Sequence, residues 1–458
     1  MSTIFGLINS ALSSLQANQF GIAVASNNIA NANNPDYTRQ RLVTRPSQIF
    51  GGHINYGNGV EIVRVQALRD QLIELRRIQE NSNRAGNDLL SRTLSDIEVQ
   101  FNDSDQTGLL GSLTKFFNSF QTLATDPASM SFRQEVRLQA QSLADDFRST
   151  RNNLLSVKDL VNRSITDKVT TINTLAGQIA RLDGQIAQQE LTSTANELRD
   201  QRAGLVKELS GLVDVHQIES AEGVFQLSIG ATNRMLVFGT ETAPLTTMMD
   251  ASGLNHVMSG IDDLTSHIQS GEIKGIIEVR DNYIPKYLNK LDQLAYEIVQ
   301  QVNGIHSTGY DLTGNTGINF FNPLASAANA TALMSLSNAV TTDLASIAAS
   351  GQPTGQDNQI ATQLGNLLFK PVFSGGSVTD QYRNLVFEVG TDTSNAEVAL
   401  REHEALAQQI ELRRQATSGV SIDEETVQIL QFQRAYQASA RLLKTVDELT
   451  QTLLGMTP

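Results

Sequence analysis

The chain has 458 residues, a length that fits roughly three domains, with 34 basic against 48 acidic side chains, a formal charge of −14, no Cys, no Trp and 5% aromatic residues. Disulfides and thiolate metal sites are excluded, so cohesion has to come from aliphatic burial. An acidic, well-mixed surface without blocks of like charge also speaks against nucleic acid and anionic membrane surfaces as partners.

The first 38 residues contain no Lys or Arg, so the basic start of a secretory signal is missing. No stretch reaches the about 18 consecutive apolar residues of a membrane span, and no membrane insertion is expected. Met1, Ile4, Ile8, Ala11, Leu15, Asn18, Ile22, Ala25 and Ile29 recur at alternating steps of three and four. That heptad seam predicts a helix of about 28 residues, roughly 42 Å long. Each aliphatic residue on it is worth roughly 1.5–3 kcal/mol if buried and nothing on a helix that stands alone. The helix needs a partner.

Downstream, Tyr56-Gly57-Asn58-Gly59 reads as a turn leading into a strand from Val60 to Val65. Helical patterns follow over 68–100, 107–125 and 130–160. Ile165, Ile172, Ile179 and Ile186 then recur every seven residues, with Leu175 and Leu182 beside them. Residues 213–240 carry the strongest strand signals: Val213 to Val215, Val224 to Ile229 and Met235 to Phe238, separated by turns that contain Gly. A small β-rich insert over 213–260 is expected. Ile284, Leu288, Leu291, Ala295, Ile298, Val302 and Ile305 form another seam. Residues 306–358 read as loop, with a poorly packed Ala-rich stretch from Ser326 to Ser350.

A helix over about 393–418 precedes the last one. There Asp423, Glu424 and Glu425 fill the first turn, where negative charge favours a helix start. Ile429, Phe432, Tyr436, Ser439, Leu443, Val446, Thr450 and Leu453 keep the seam spacing. Stripes at opposite ends of the sequence imply that the two terminal helices pack together with everything else inserted between them. The fold class is mainly α: a long discontinuous helical bundle, a coiled coil of the N- and C-terminal helices, and the small β-rich insert. The expected division is a terminal coiled-coil assembly domain (1–60 and 418–458), a helical rod-like middle (61–212 and 261–417, with 320–380 poorly specified) and the insert. The terminal segments carry three basic groups against one acidic and three against five, so nearly all the negative charge sits in the middle.

The search for chemistry finds nothing. His53, His216, His256, His267, His306 and His403 have no His or Cys at a ligand spacing. Glu402-His403-Glu404 cannot converge on an ion, because adjacent residues of a helix point apart. Hydrolase and phosphate-loop motifs are absent. No catalytic residue, cofactor or metal is expected.

Residues 27–41, Asn-Asn-Ile-Ala-Asn-Ala-Asn-Asn-Pro-Asp-Tyr-Thr-Arg-Gln-Arg, resemble the N-terminal motif of the flagellar axial family of rod, hook and hook-associated proteins. Asp36 stands where that family usually has Gly. Asp tolerates a left-handed backbone, so the turn is expected to persist. Ser418 to Glu425 and Phe432 to Ala440 are similar to the ending of the hook-associated members. So are Asp126-Pro127 to Arg133, Leu198 to Arg202, and Gly275 through Asn303-Gly304-Ile305-His306 to Leu312. The resemblance covers about 1–320 and 380–458, and the unmatched gap implies a reduced outer domain.

That resemblance implies a structural subunit at the junction of hook and filament, with no reaction to catalyse. Its terminal helices would form an inner tube, and neighbouring copies would make a ring on the hook. Its partners would be hook protein, the second junction protein, the type III export apparatus through which it passes unfolded, and a cytosolic export chaperone on the C-terminal helix. The implied location is the flagellum, outside the cell. The expected assembly seam is Ile4, Ile8, Leu15, Ile22 and Ile29 with Ile429, Phe432, Tyr436, Leu443, Val446 and Leu453. The family-motif residues are Asn28, Asn31, Pro35, Tyr37, Gly419, Asp423, Glu424, Gln433 and Tyr436. Another axial subunit (hook protein, the second junction protein or a flagellin-like protein) and a cytosolic coiled-coil binding protein remain the alternatives.

Overall fold

The computed structural model describes residues 2–47, 59–101, 108–220, 224–232, 234–353, 357–371 and 376–455. Helix α1 (Ser2–Ala30) is followed by a two-stranded antiparallel hairpin of β1 (Gln40–Pro46) and β2 (Val60–Ala67). Of the expected turn before β2 only Gly59 is described; it takes a positive φ of 92° and packs on Ser10 and Ser13 of α1. The remaining turn residues, Tyr56 to Asn58, lie outside the described residues, as does His53.

The body begins with α2 (Gln71–Gln100), α3 (Gly108–Thr125), α4 (Met130–Gln189) and α5 (Asn196–Leu212). Asp70 caps α2 by accepting from the Leu72 and Ile73 amides, and Ser129 caps α4 through Phe132 N. The patterns expected over 130–160 and along the Ile165 row belong to one 60-residue helix. The reason lies in the sequence: no Gly or Pro falls between Met130 and Gly177. Ile165, Ile172, Ile179 and Ile186 are all buried along it.

The β-rich insert is present and runs slightly further than expected, from Val215 to Asp263. Strands β3 (Val215–Glu219), β4 (Phe225–Ile229), β5 (Arg234–Phe238) and β6 (Glu241–Thr242) form one antiparallel sheet in sequence order. A second sheet holds β7 (Thr246–Met249), β8 (Asn255–Ser259) and β9 (Asp262–Asp263). Val213 is not in a strand; it is the C-cap of α5.

Helix α6 (Glu272–Glu278) leads through one π-helical segment, Val279–Tyr283, into α7 (Ile284–His306). In that segment the fully buried Arg280 donates to Asn162 Oδ1 and Asn255 O at 3.0 and 2.7 Å, tying α4 to the second sheet. Residues 306–358 correct the expectation of a poorly packed loop. They include the short helices α8 (Ala330–Leu333) and α9 (Asn338–Thr342), but mostly irregular backbone that is nonetheless buried. Phe320, Phe321, Met334, Val340, Ile347 and Ala349 are fully buried, the two phenylalanines against Phe116 of α3. The backbone polar groups are met by buried charge: Arg133 donates to the carbonyls of Leu344, Ala345 and Ile347, and Asp292 accepts from the Asn329 and Thr331 amides. Aromatic anchors and two charged side chains do there what periodicity does elsewhere.

Helix α10 (Gln359–Gly365) precedes α11 (Val378–Ser418) and α12 (Ile422–Gly455). α11 starts well before the expected 393, at a capping box between Ser377 and Asp380. One continuous apolar core joins α2 to α7, the insert, the irregular cap and the first half of α11, from Ile78 to Ala396. Among the described residues none of α1, the hairpin or α12 belongs to it, and no described helix is long and apolar enough to cross a membrane.

Candidate assembly interface

The two chain ends meet as an antiparallel helix pair. Ser14 and Ser439 share a hydroxyl hydrogen bond of 2.8 Å. Gly21 lies under the ring of Phe432, so closely that a Cβ there would fall 2.7 Å from Cζ. Asn28 donates to Glu425 at 2.9 Å. Each contact is seven residues from the next on both helices, which fixes the register. The face of α1 turned to α12 is therefore made of small residues, with Ala11, Ala17 and Ala25 buried alongside.

The predicted aliphatic row sits beside that face. Leu15, Ile22 and Ile29 each follow a contact residue by one position, about 100° round the helix, and with Ile8 they are half-buried. On α12, Phe432, Ser439 and Val446 face α1, with Val446 buried and Phe432 half-buried. Ile429 and Leu443 are half-buried on the flank, and Tyr436 remains 41% exposed. In an antiparallel pair, rows turned in the same sense from the contact line fall on one side. Ile8, Leu15, Ile22 and Ile29 thus border one groove with Ile429, Tyr436 and Leu443. The side chains of Ile4 and Leu453 lie outside the described residues. Gln433 and Asp423 are exposed.

The motif residues gather at the base of the pair. Asn28 is fully buried: its amide donates to Gln40 O and Glu425, and its Oδ1 accepts from Tyr37 Oη at 2.9 Å and Gln40 N at 3.0 Å. Every hydrogen-bonding position of that amide is used. Asn31 turns back onto Asn27. Burial, with Asp200, Glu197 and Glu425 nearby, pushes the Tyr37 hydroxyl well above the usual tyrosine range. Glu424 pairs with Arg39 at 2.7 Å, and Arg39 Nε reaches the buried Glu425 at 2.7 Å. Gly419 ends α11.

Asp36 does not adopt the expected left-handed backbone; among the described residues Asn329 is the only non-glycine with positive φ. Its carboxylate instead accepts from Arg77 of α2 at 2.7 Å. Burial works against that charge, but Arg77 and Lys207 outweigh it and hold the carboxyl below its ordinary range. The backbone around it is held by Arg414 of α11, which donates to Pro35 O and Tyr37 O and pairs with Glu74. Thr38 donates through N and Oγ1 to Asp200 of α5, at 2.9 and 2.8 Å, and Arg69 pairs with the same carboxylate.

Sequence reading passed over Gly21, Ser14, Arg39, Arg77, Asp200 and Arg414. For Asp200 a signal existed, since it lies in the Leu198–Arg202 stretch. For Ser14 and Gly21 the signal was a second heptad row, of small and polar residues, that runs on to the motif residue Asn28. Charged groups here pair with one another, and among the described residues no cluster of three or more His, Cys, Asp or Glu could hold an ion. His403 pairs with Glu80, and His306 is buried in the cap.

Comparison with known proteins bears on both halves of this architecture. Residues 94–321 match the family model described as the flagellar hook-associated protein FlgK helical domain. Residues 413–456 match that of the flagellar basal body rod FlgEFG protein C-terminal region. The chain is 29% identical to flagellar hook-associated protein 1 of Bacillus subtilis, over 99% of this chain and 98% of that protein. It is 27% identical to the protein of the same name from Salmonella typhimurium, over 98% and 99%. Its fold is similar to the flagellar hook junction protein FlgK from Burkholderia pseudomallei, with a TM-score of 0.65 at 17% identity, covering 75% of this chain and all of that one.

Proposed function

Since the chain belongs to the flagellar hook-associated protein 1 family, we propose that its terminal helix pair is the surface by which copies assemble side by side on the hook. The protein is a structural subunit of the bacterial flagellum at the junction of hook and filament, and the family is not an enzyme family. It associates with other hook or filament components. Within that frame the chain carries out no reaction of its own and acts only by assembling.

The observation that carries the assembly reading is the half-covered groove bordered by Ile8, Leu15, Ile22, Ile29, Ile429, Tyr436 and Leu443. A single chain supplies two helices to a stripe broad enough for more, and an exposed row of that kind marks an interaction site. Neighbouring copies in a ring supply the remaining cover. Hook protein meets the ring on one side and the second junction protein on the other. Ordering the ends costs roughly 1–2 kcal/mol per residue in backbone entropy, so their folding is coupled to the burial that assembly brings. A chain passed unfolded through the type III exporter, with a cytosolic chaperone on α12 until then, fits that coupling and needs no cleaved signal.

A deletion strain tests this. Hooks should remain at full length while filament subunits escape into the medium; stunted hooks would move the protein elsewhere along the axis. Antibody against the Val224–Phe238 region should label one band at the hook end of the filament. Labelling along the whole filament would overturn the single-ring reading.

A further inference from the structure

The terminal pair and the body share no apolar core. The continuous core stops at Ile78 and Ala396, and two short segments near residues 67–70 and 418–421 carry the chain across, with the turn at 31–39 set against the body beside them. What spans the gap is polar. Thr38 and Arg69 converge on Asp200; Asp36 meets Arg77 and Lys207; Arg414 holds Pro35 O and Tyr37 O; Thr194 and Asn196 donate to Val65 O. Clefts flank these contacts: one of about 570 Å³ lies between the Asn31–Tyr37 turn and α5, and one of about 490 Å³ between that turn and the start of α12. Apolar interfaces resist sliding because every small shift opens voids, whereas directional contacts between rigid bodies have a few discrete arrangements.

We propose that this joint is an ionic latch, centred on Asp200, that holds the terminal pair at one angle to the body and lets it pivot on the two crossing segments when the contacts are broken. Asp200 is the natural centre because it is buried and holds both the 31–39 turn, through Thr38, and the crossing at 67–70, through Arg69. Burial raises its pKa despite both partners, so its charge depends on them. The outer contact of Arg77 with Asp36 has a carboxylate open to solvent and is the one salt weakens. A pivot there would let one subunit shape fit two neighbours of different pitch, which a junction requires; this use rests on the functional reading, but the latch itself does not.

The chain has no cysteine, so the full-length protein can be spin-labelled at Arg181→Cys on α4 and Ala438→Cys on α12, both exposed sites. Distance distributions are read by pulsed electron resonance on purified hooks capped with the labelled protein. The latch predicts one narrow distance at low salt, a width increased about twofold in about 1 M salt, and the same broadening at low salt for Asp200→Asn. Asn cannot pair with Arg69, but it keeps an acceptor for Thr38. A distribution left narrow by both changes overturns the latch. So does one already broad in the unmodified protein at low salt. If the labelled protein does not bind hooks, it is the functional reading that fails, and the same comparison on the free chain decides the latch by the same criterion.

Discussion

Asn28 and Glu425 stand 397 positions apart and share a hydrogen bond of 2.9 Å in a site from which solvent is excluded. That bond closes the molecule: it joins the end of α1 to the start of α12 and, through Gln40 and Tyr37, fixes where the hairpin leaves the stalk. Polar contacts of this kind specify register more than they add stability. A small-residue helix face such as that of α1 offers few knobs to do so.

Replacing Asn28 by Asp would set two carboxylates against each other and remove both donated bonds. A buried charge left without a partner costs about 3–5 kcal/mol, enough to unseat the helix pair. Cells carrying Asn28→Asp should lose their filaments with hooks intact. The specific check is rescue: Glu425→Gln in the same chain restores a neutral donor opposite the new carboxylate and should recover filaments. Filaments retained by the single variant would show that the buried bond does not matter.

How far the sequence reveals this fold depends on what holds each part together. The Ile165 row of α4 and the Ile284 row of α7 were legible because burial there follows helical period. The cap at 306–358 was not, because Phe320, Phe321, Arg133 and Asp292 act at long sequence range and leave no period. In the stalk the α12 stripe turns Phe432, Ser439 and Val446 toward α1. On α1 the aliphatic row masks Ser14 and Gly21, since small residues carry almost no hydrophobic signal although they allow the closest approach. Asp36 misled by analogy with Gly. An acidic side chain that finds Arg77 has no need of the left-handed region.

Two glycines should respond to the same substitution in opposite directions. A Cβ on Gly275 of α6 would lie 2.6 Å from Gly86 O, a backbone atom of α2 that cannot step aside. Gly275→Ala should therefore cost about 2–3 kcal/mol through forced separation of the two helices. Gly304, inside α7, has nothing within 4 Å of that position. Gly304→Ala should stabilise by about 0.5–1 kcal/mol by restricting the unfolded chain. Urea unfolding of both variants tests the pair, and equal shifts would contradict the packing described for α2 and α6.

His306 gives the cap a dependence on pH. Its Nδ1 faces Ile318 O at 2.7 Å and its Nε2 accepts from Ala348 N at 2.8 Å, an arrangement that requires the neutral ring. Complete burial lowers its pKa from 6.5 to about 4. The unfolded chain therefore takes up a proton first as pH falls. The contribution is fully present above pH 6.5, declines below it and is gone beneath about pH 4, a span of about 3 kcal/mol. Unfolding midpoints at pH 7.5 and 4.5 should differ by less in His306→Gln than in the unmodified chain. An unchanged difference would assign the acid sensitivity to carboxylates.

The groove beside the helix pair separates assembly from folding in a measurable way. Ile22 is half-buried on α1 and lies outside the apolar core of the body, so Ile22→Glu leaves the core of the free chain untouched. In the proposed ring, where neighbouring copies cover the groove, the same carboxylate would be desolvated without a partner, a penalty of several kcal/mol at every copy. The expected outcome is a chain whose unfolding midpoint matches the unmodified protein but which no longer retains filaments on hooks. Leu160→Glu, on α4 at a side chain 68% exposed, is the control and should change neither. Filament retention by the Ile22 variant at normal levels would mean that the groove stays open in the assembled flagellum, and the surface between copies would have to be sought on the opposite face of the pair, where Phe20 is 55% exposed.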